Sequence, residues 1–162
     1  MVVNSRSAGL PRLDLGYLGL FLGLQVNRLV VERFRAAGLE AVRESHGYLI
    51  QHLIEKERSI TELARRMEVS QQAASKVVAE LAGRGILETV PGPDRRQRII
   101  RLSDRGWEFV KFARKCRQRI EGRLIRAVGA DEYEGARATL AKCLDALGGM
   151  PRVRSRRILQ PQ

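Results

Sequence analysis

The sequence predicts a mainly α-helical chain with one small β-hairpin wing, a winged helix-turn-helix joined to a helical dimerisation region. Three observations carry this expectation. Apolar residues recur at i, i+3 and i+4 over most of the 162 residues. A short helix and a serine-capped helix follow one another between Thr61 and Gly83 across a two-residue break, "EV". Directly after them, "ILETV" and "RIIRL" flank "PGPDRRQ", a turn marked by two prolines and a glycine.

Each element has its own justification. Residues 13–37 read as one long helix ended by Gly38, and it is apolar around much of its circumference, which a lone surface helix would not be. Residues 39–56 carry Leu39, Val42, His46, Leu49, Ile50, Leu53 and Ile54 as a helical stripe. Thr61 is the expected N-cap of "ELARRM", whose inner side is Leu63, Ala64 and Met67. Ser70 caps "QQAASKVVAELAGRG", closed by Gly83 and Gly85. Strands are expected at about 86–90 and 98–102, and Ser103 then caps a helix running to about Gly129. Asp131 and Glu134 are spaced as a capping box for a last helix with the seam Tyr133, Ala136, Leu140, Cys143, Leu144 and Leu147. Pro151 is expected to end regular structure, leaving 151–162 as a basic tail. The expected organisation is a winged helix at 38–103, with 1–37 and 104–150 as the helical region that pairs two chains.

Charge narrows the partners. Thirty Lys and Arg against eighteen Asp and Glu give +12, which favours a polyanion: nucleic acid first, an anionic membrane surface second. The uncharged run 15–27 is short of the roughly 20 apolar residues a membrane span requires. It also continues into "RLVVERFRAAG" without a cleavage site, so burial against another chain is expected and neither export nor a membrane partner is. Cys116 and Cys143 form no C-x-x-C, and two distant thiols suit a reducing cytoplasm.

The serine-capped helix has the chemistry to read base edges. At 100° per residue Ala74, Val77, Val78 and Leu81 gather on one side, and Gln72, Ser75, Lys76 and Ala79 on the other, with Gln71 in the first turn. Gln pairs with adenine, Lys donates to guanine or phosphate, and Ser reaches either. A merely solvated amphipathic helix is the alternative. In the wing, Arg95 and Arg96 project from the tip toward a minor groove and the backbone, and Asp94 is placed to hold an arginine in position. A solvated charged turn is the alternative there.

Residues 59–106 resemble the MarR family of winged-helix transcription regulators. The resemblance rests on "ELA", the serine-capped helix, "L..RG", the D-R-R wing and "RLSDRG" at the position of a leucine-threonine-x-x-glycine. It implies a homodimer whose first, fifth and sixth helices intertwine, straddling a pseudo-palindrome of double-stranded DNA. It assigns Arg96 to the wing arginine, Arg95 to a position often basic, and Gln71, Gln72, Ser75 and Lys76 to recognition. The Arg-rich extension after Pro151 falls outside the pattern. Many relatives bind small, often aromatic, anions between the dimer region and the winged helix and then release DNA. His46, Tyr48 and Trp107 are candidates for lining such a pocket, with plain packing the favoured reading of each. Redox sensing through Cys116 or Cys143 is disfavoured, because both sit on apolar stripes.

No enzyme and no cofactor are expected. His46 and His52 lie about 240° apart around their helix, so they form no metal pair, and the sequence holds no phosphate loop or nucleophile elbow. Two other classes compete with a repressor: a protein-interaction winged helix and a sequence-indifferent DNA-packaging protein.

Overall fold

The computed structural model describes residues 13–39, 44–93 and 98–154. Among these, seven helices and three strands follow in the order α1 (Leu15–Ala36), α2 (Glu44–Glu55), β1 (Arg58–Ser59), α3 (Ile60–Met67), α4 (Gln71–Gly83), β2 (Leu87–Pro91), β3 (Arg98–Leu102), α5 (Asp104–Val128), α6 (Ala130–Ala146) and α7 (Met150–Arg154). The mainly α fold with a small antiparallel sheet is the expected one. Val42 and the wing-tip residues Asp94, Arg95 and Arg96 lie outside the described residues, as does 155–162 of the basic tail.

Several boundaries are set by caps, of which those at Ser70 and Gly85 are the expected ones. The Asp14 carboxylate accepts the Tyr17 N–H at 3.0 Å to start α1. The Ser70 hydroxyl accepts from Ala73 N–H at 3.1 Å to start α4. At the end of α4, Gly85 adopts φ +68°, a conformation that side-chain-bearing residues avoid, and the Ile86 N–H returns to the Leu81 carbonyl at 3.0 Å.

Four expectations need correction. The cap of α3 is Ser59, whose hydroxyl accepts from Glu62 N–H at 3.2 Å, so Thr61 lies inside the helix. Arg58 and Ser59 also form a third strand, opposite Ile100 and Ile99 of β3, so the sheet order is β1-β3-β2. Asp131 and Glu134 make no capping box: one residue, Gly129, joins α5 to α6 and caps both without a side-chain bond. Pro151 does not end regular structure, because it sits in the first turn of α7, where a missing N–H costs nothing.

Two apolar clusters result. One joins Leu49, Ile50 and Leu53 of α2 to Leu63 and Met67 of α3, Val78 and Leu81 of α4, Ile100 and Leu102 of β3, and Val110 of α5. The other joins Val30 and Phe34 of α1 to Cys116 and Ile120 of α5. Phe109 packs against both, stacking on Phe34 at 4.3 Å between ring centroids.

Buried Arg58 anchors β1 and α3. Its Nε donates to the His52 carbonyl at 2.8 Å, and its Nη1 pairs with Glu62, which also lies 3.5 Å from Arg66 Nε. Burial alone would raise the Glu62 carboxyl; the two guanidiniums outweigh it and hold the group below the usual carboxylate range.

The "RLSDRG" segment is a staple between α5 and the turn after α4. The Ser103 hydroxyl donates to the carbonyls of Gly85 and Ile86 at 2.5 and 3.0 Å, and its oxygen accepts from Gly106 N–H at 3.0 Å. A Cβ on buried Gly106 would collide with the Ile86 carbonyl and lie 3.1 Å from Leu102 Cδ2. Gly106→Ala is therefore expected to destabilise the fold by about 1–3 kcal/mol. Urea denaturation measures this, and an unchanged midpoint would show that the joint has slack.

Candidate nucleic-acid interface

The recognition helix is oriented by what lies behind it. The short helix α3 presents Leu63, Ala64 and Met67, and the turn to α4 is made by Glu68 in the left-handed conformation (φ 56°). Helices α3 and α4 pack together, and each carries a small buried residue, Ala64 and Ala74. On α4 itself Ala74, Val78 and Leu81 are buried and Val77 is half-buried. On the opposite face Gln71, Gln72, Lys76 and Ala79 are exposed and Ser75 is half-buried. No acidic residue occupies the first turn of α4, so the positive end of its dipole stays uncompensated.

The predicted residues differ in how free they are. The Gln71 amide donates to Thr61 Oγ1 at 2.5 Å, which ties the start of α4 to α3 and leaves its carbonyl available. Gln72 and Lys76 project one turn apart, and among the described residues neither has such a tie. The tip residues Asp94, Arg95 and Arg96 are not described, but the strands that carry them are: Val90 pairs with Ile99 and Pro91 with exposed Arg98 at the base of the wing. Cross-strand Arg101 and Glu88, 2.6 Å apart at Nε and Oε1, brace the other end. That carboxylate raises the Arg101 guanidinium above its ordinary value.

One polar contact had no sequence signal. His46, expected on an apolar stripe and as a candidate for lining an effector pocket, is buried, and its Nε2 lies 3.2 Å from Glu80 Oε2 on α4. The other Glu80 oxygen accepts from Arg84 at 2.8 Å. A carboxylate that phosphates would repel is thereby drawn toward the interior and matched. Residues 34 apart in sequence give no periodicity by which this could be found.

Two cavities lie between α1–α5 and the winged helix. The smaller, about 300 Å³, has Val30, Phe34, Ile50 and Ile54 as apolar walls and Arg114 and Arg117 at its side. The larger, about 450 Å³, is bordered by Arg84, Arg105, Lys111 and Lys115 over Phe109 and Phe112. Among the described residues, His46, Tyr48 and Trp107 line neither. Trp107 instead borders a groove with Leu53, Glu57 and Arg101. Both cysteines are free, Cys116 buried and Cys143 half-buried. Among the described residues no group of three His, Cys, Asp or Glu could hold a metal ion, and no helix is long and apolar enough to cross a membrane.

Residues 42–98, from α2 to the foot of β3, match the model of the MarR family. Among solved structures, the chain is similar to the YusO protein of Bacillus subtilis at 21% identity, covering 82% of this chain and 94% of that one with a TM-score of 0.67. The reduced form of MarR from E. coli matches at 20% identity, covering 83% and 99%, with a TM-score of 0.68. A MepR mutant from S. aureus bound to an oligodeoxyribonucleotide matches at 16% identity, covering 84% and 99%, with a TM-score of 0.61. No curated protein matches the sequence. Residues 42–98 of this chain thus match the MarR family, and the chain as a whole shares the fold of these solved structures.

Proposed function

We propose that the chain is a sequence-specific, DNA-binding regulator of transcription that acts as a homodimer on a pseudo-palindromic operator. The observation that carries this reading is the division of α4 into a buried apolar face and an exposed face of Gln71, Gln72 and Lys76 on a chain of net charge +12. In it, α4 enters the major groove, Gln72 and Lys76 contact base edges, and Gln71 and Ser75 bond to bases or backbone. Arg96 enters the adjacent minor groove, Arg95 meets a phosphate, and Asp94 restrains the pair. Occupancy of the operator then represses transcription.

The homodimer is supported by unspent apolar surface. Leu15, Tyr17, Leu18, Leu20, Phe21, Leu22 and Leu24 of α1 are each 47–55% exposed. No residue of α6 is buried, although Tyr133, Leu140, Cys143, Leu144 and Leu147 line one side of it. Exposed apolar surface of this extent marks an interface, and two-fold symmetry spaces the two α4 helices by about 10 bp. The cavity beside Arg114 and Arg117 suits an effector with an apolar body and one negative charge, whose binding between α1, α2 and α5 releases DNA.

Selection of bound sequences from a random duplex pool tests the class. A regulator yields one palindrome preferred by roughly 10³-fold or more over random duplex, whereas a DNA-packaging protein yields none and a protein-interaction winged helix binds no duplex. On the selected site, Gln72→Ala is expected to change the base preferred at one position of each half-site, measured by competition among single-base variants. A uniform loss would make Gln72 a backbone contact. Arg96→Ala is expected to weaken binding by about 1–3 kcal/mol with the dimer intact in sedimentation, and undiminished affinity would remove the wing from the mechanism.

A further inference from the structure

The helix α5 carries a row of positive charge that the recognition surface does not use. Lys111, Lys115, Arg119 and Arg123 stand at successive i, i+4 positions, and all four are exposed. At 1.5 Å per residue the row is about 18 Å long, and Arg105 and Arg126 on the same side extend it to about 31 Å. Side chains at this spacing are neighbours, so each adjacent pair repels. Elsewhere the chain matches its charges at the same spacing, as in Arg28–Glu32, Arg58–Glu62 and Arg84–Glu80. On the row only Lys111 has a carboxylate, Glu108, at 2.7 Å. Among the described residues none pairs with Lys115, Arg119 or Arg123.

The surroundings reinforce the charge and select the partner. Arg33 of α1 joins Arg119 and Arg123 around a groove of about 320 Å³, whose one carboxylate, Glu32, is paired with Arg28. At the other end Arg105, Lys111 and Lys115 share the larger cleft with Glu108 and with Arg84, the C-cap residue of α4, so the row begins where the recognition helix ends. Ile120 is buried in the α1–α5 cluster and half-buried Phe112 packs against it on the floor of the larger cleft, so among the described residues no large apolar side chain of the row stands fully exposed to enter a membrane. Like charge keeps the row from pairing with its own copy.

We propose that this row binds a second stretch of duplex DNA, outside the operator. A straight helix with fixed, regularly spaced cations suits a stiff polyanion whose charges recur at fixed intervals, reached by a flank that bends around the protein. The proposal rests on the DNA-binding reading above.

The test compares two duplexes carrying the same selected site, one of about 20 bp and one of about 45 bp, binding the full-length protein at about 100 mM salt. The native protein binds the longer duplex about tenfold tighter, with a salt slope steeper by about 2–4, since each neutralised phosphate contributes about 0.9. The paired change Lys115→Glu with Arg123→Glu alternates the charges along the row, which favours the helix. It abolishes the length gain and leaves the short-duplex affinity unchanged. Equal length gain in the variant, or none in the native protein, overturns the proposal while the regulator reading stands. Dissociation of the variant into monomers overturns it too, by assigning the row to the subunit seam. So does an RNA duplex of about 45 bp that competes for the row better than DNA of that length. Binding of neither DNA duplex overturns both readings.

Discussion

The burial of one face of α4 is the constraint on which the rest of the structure depends. Ala74 and Leu81 are fully buried and Val78 nearly so, and Val78 and Leu81 share a core cluster with side chains from α2 and α3. Burying a side chain of the size of Leu81 contributes about 1.5–3 kcal/mol. Rotating the helix to bury another face would sacrifice that and force Gln72 or Lys76 into an apolar core. The polar face is therefore outward because the apolar one has a single place to go. Thr61, His46 and Arg84 then trim the orientation: one bonds Gln71 at the start of the helix, and the others hold Glu80 on its flank.

The helix α5 is the second organising element, because it belongs to both clusters. Val110 closes the core of the winged helix, Cys116 and Ile120 pack on α1, and Phe109 touches both. The Ser103 staple fixes its first turn to the carbonyls of Gly85 and Ile86, just beyond the end of α4. Recognition helix, wing strands and α5 thus meet at one joint, and Gly106 is required there because backbone fills the space a side chain would take. The apolar surface left over lies at the ends of the chain, on α1 and α6.

The parts of the fold that were legible in the sequence are those set by local chemistry. Ser70 and Ser103 announced their helices because a hydroxyl before an apolar period has one natural role. The outward set on α4 followed from helical angle alone. What was not legible depended on contacts distant in sequence or on competing local signals. Ser59 and Thr61 are two hydroxyls two positions apart, and pairing of Arg58–Ser59 with β3 decided between them. A strand of two residues has no period to detect. Asp131 and Glu134 had capping spacing, but the single-residue connection at Gly129 starts α6 before them. The contact of His46 with Glu80 needed the fold, and the arginines of the wing tip remain a sequence-based expectation.

Hydroxyl-radical and base-methylation footprinting of the purified protein on its selected duplex tests the central claim most directly. The account predicts two equivalent patches of major-groove protection about 10 bp apart, each flanked by protection in the neighbouring minor groove. A single patch, or protection spread evenly without a repeat, would contradict it.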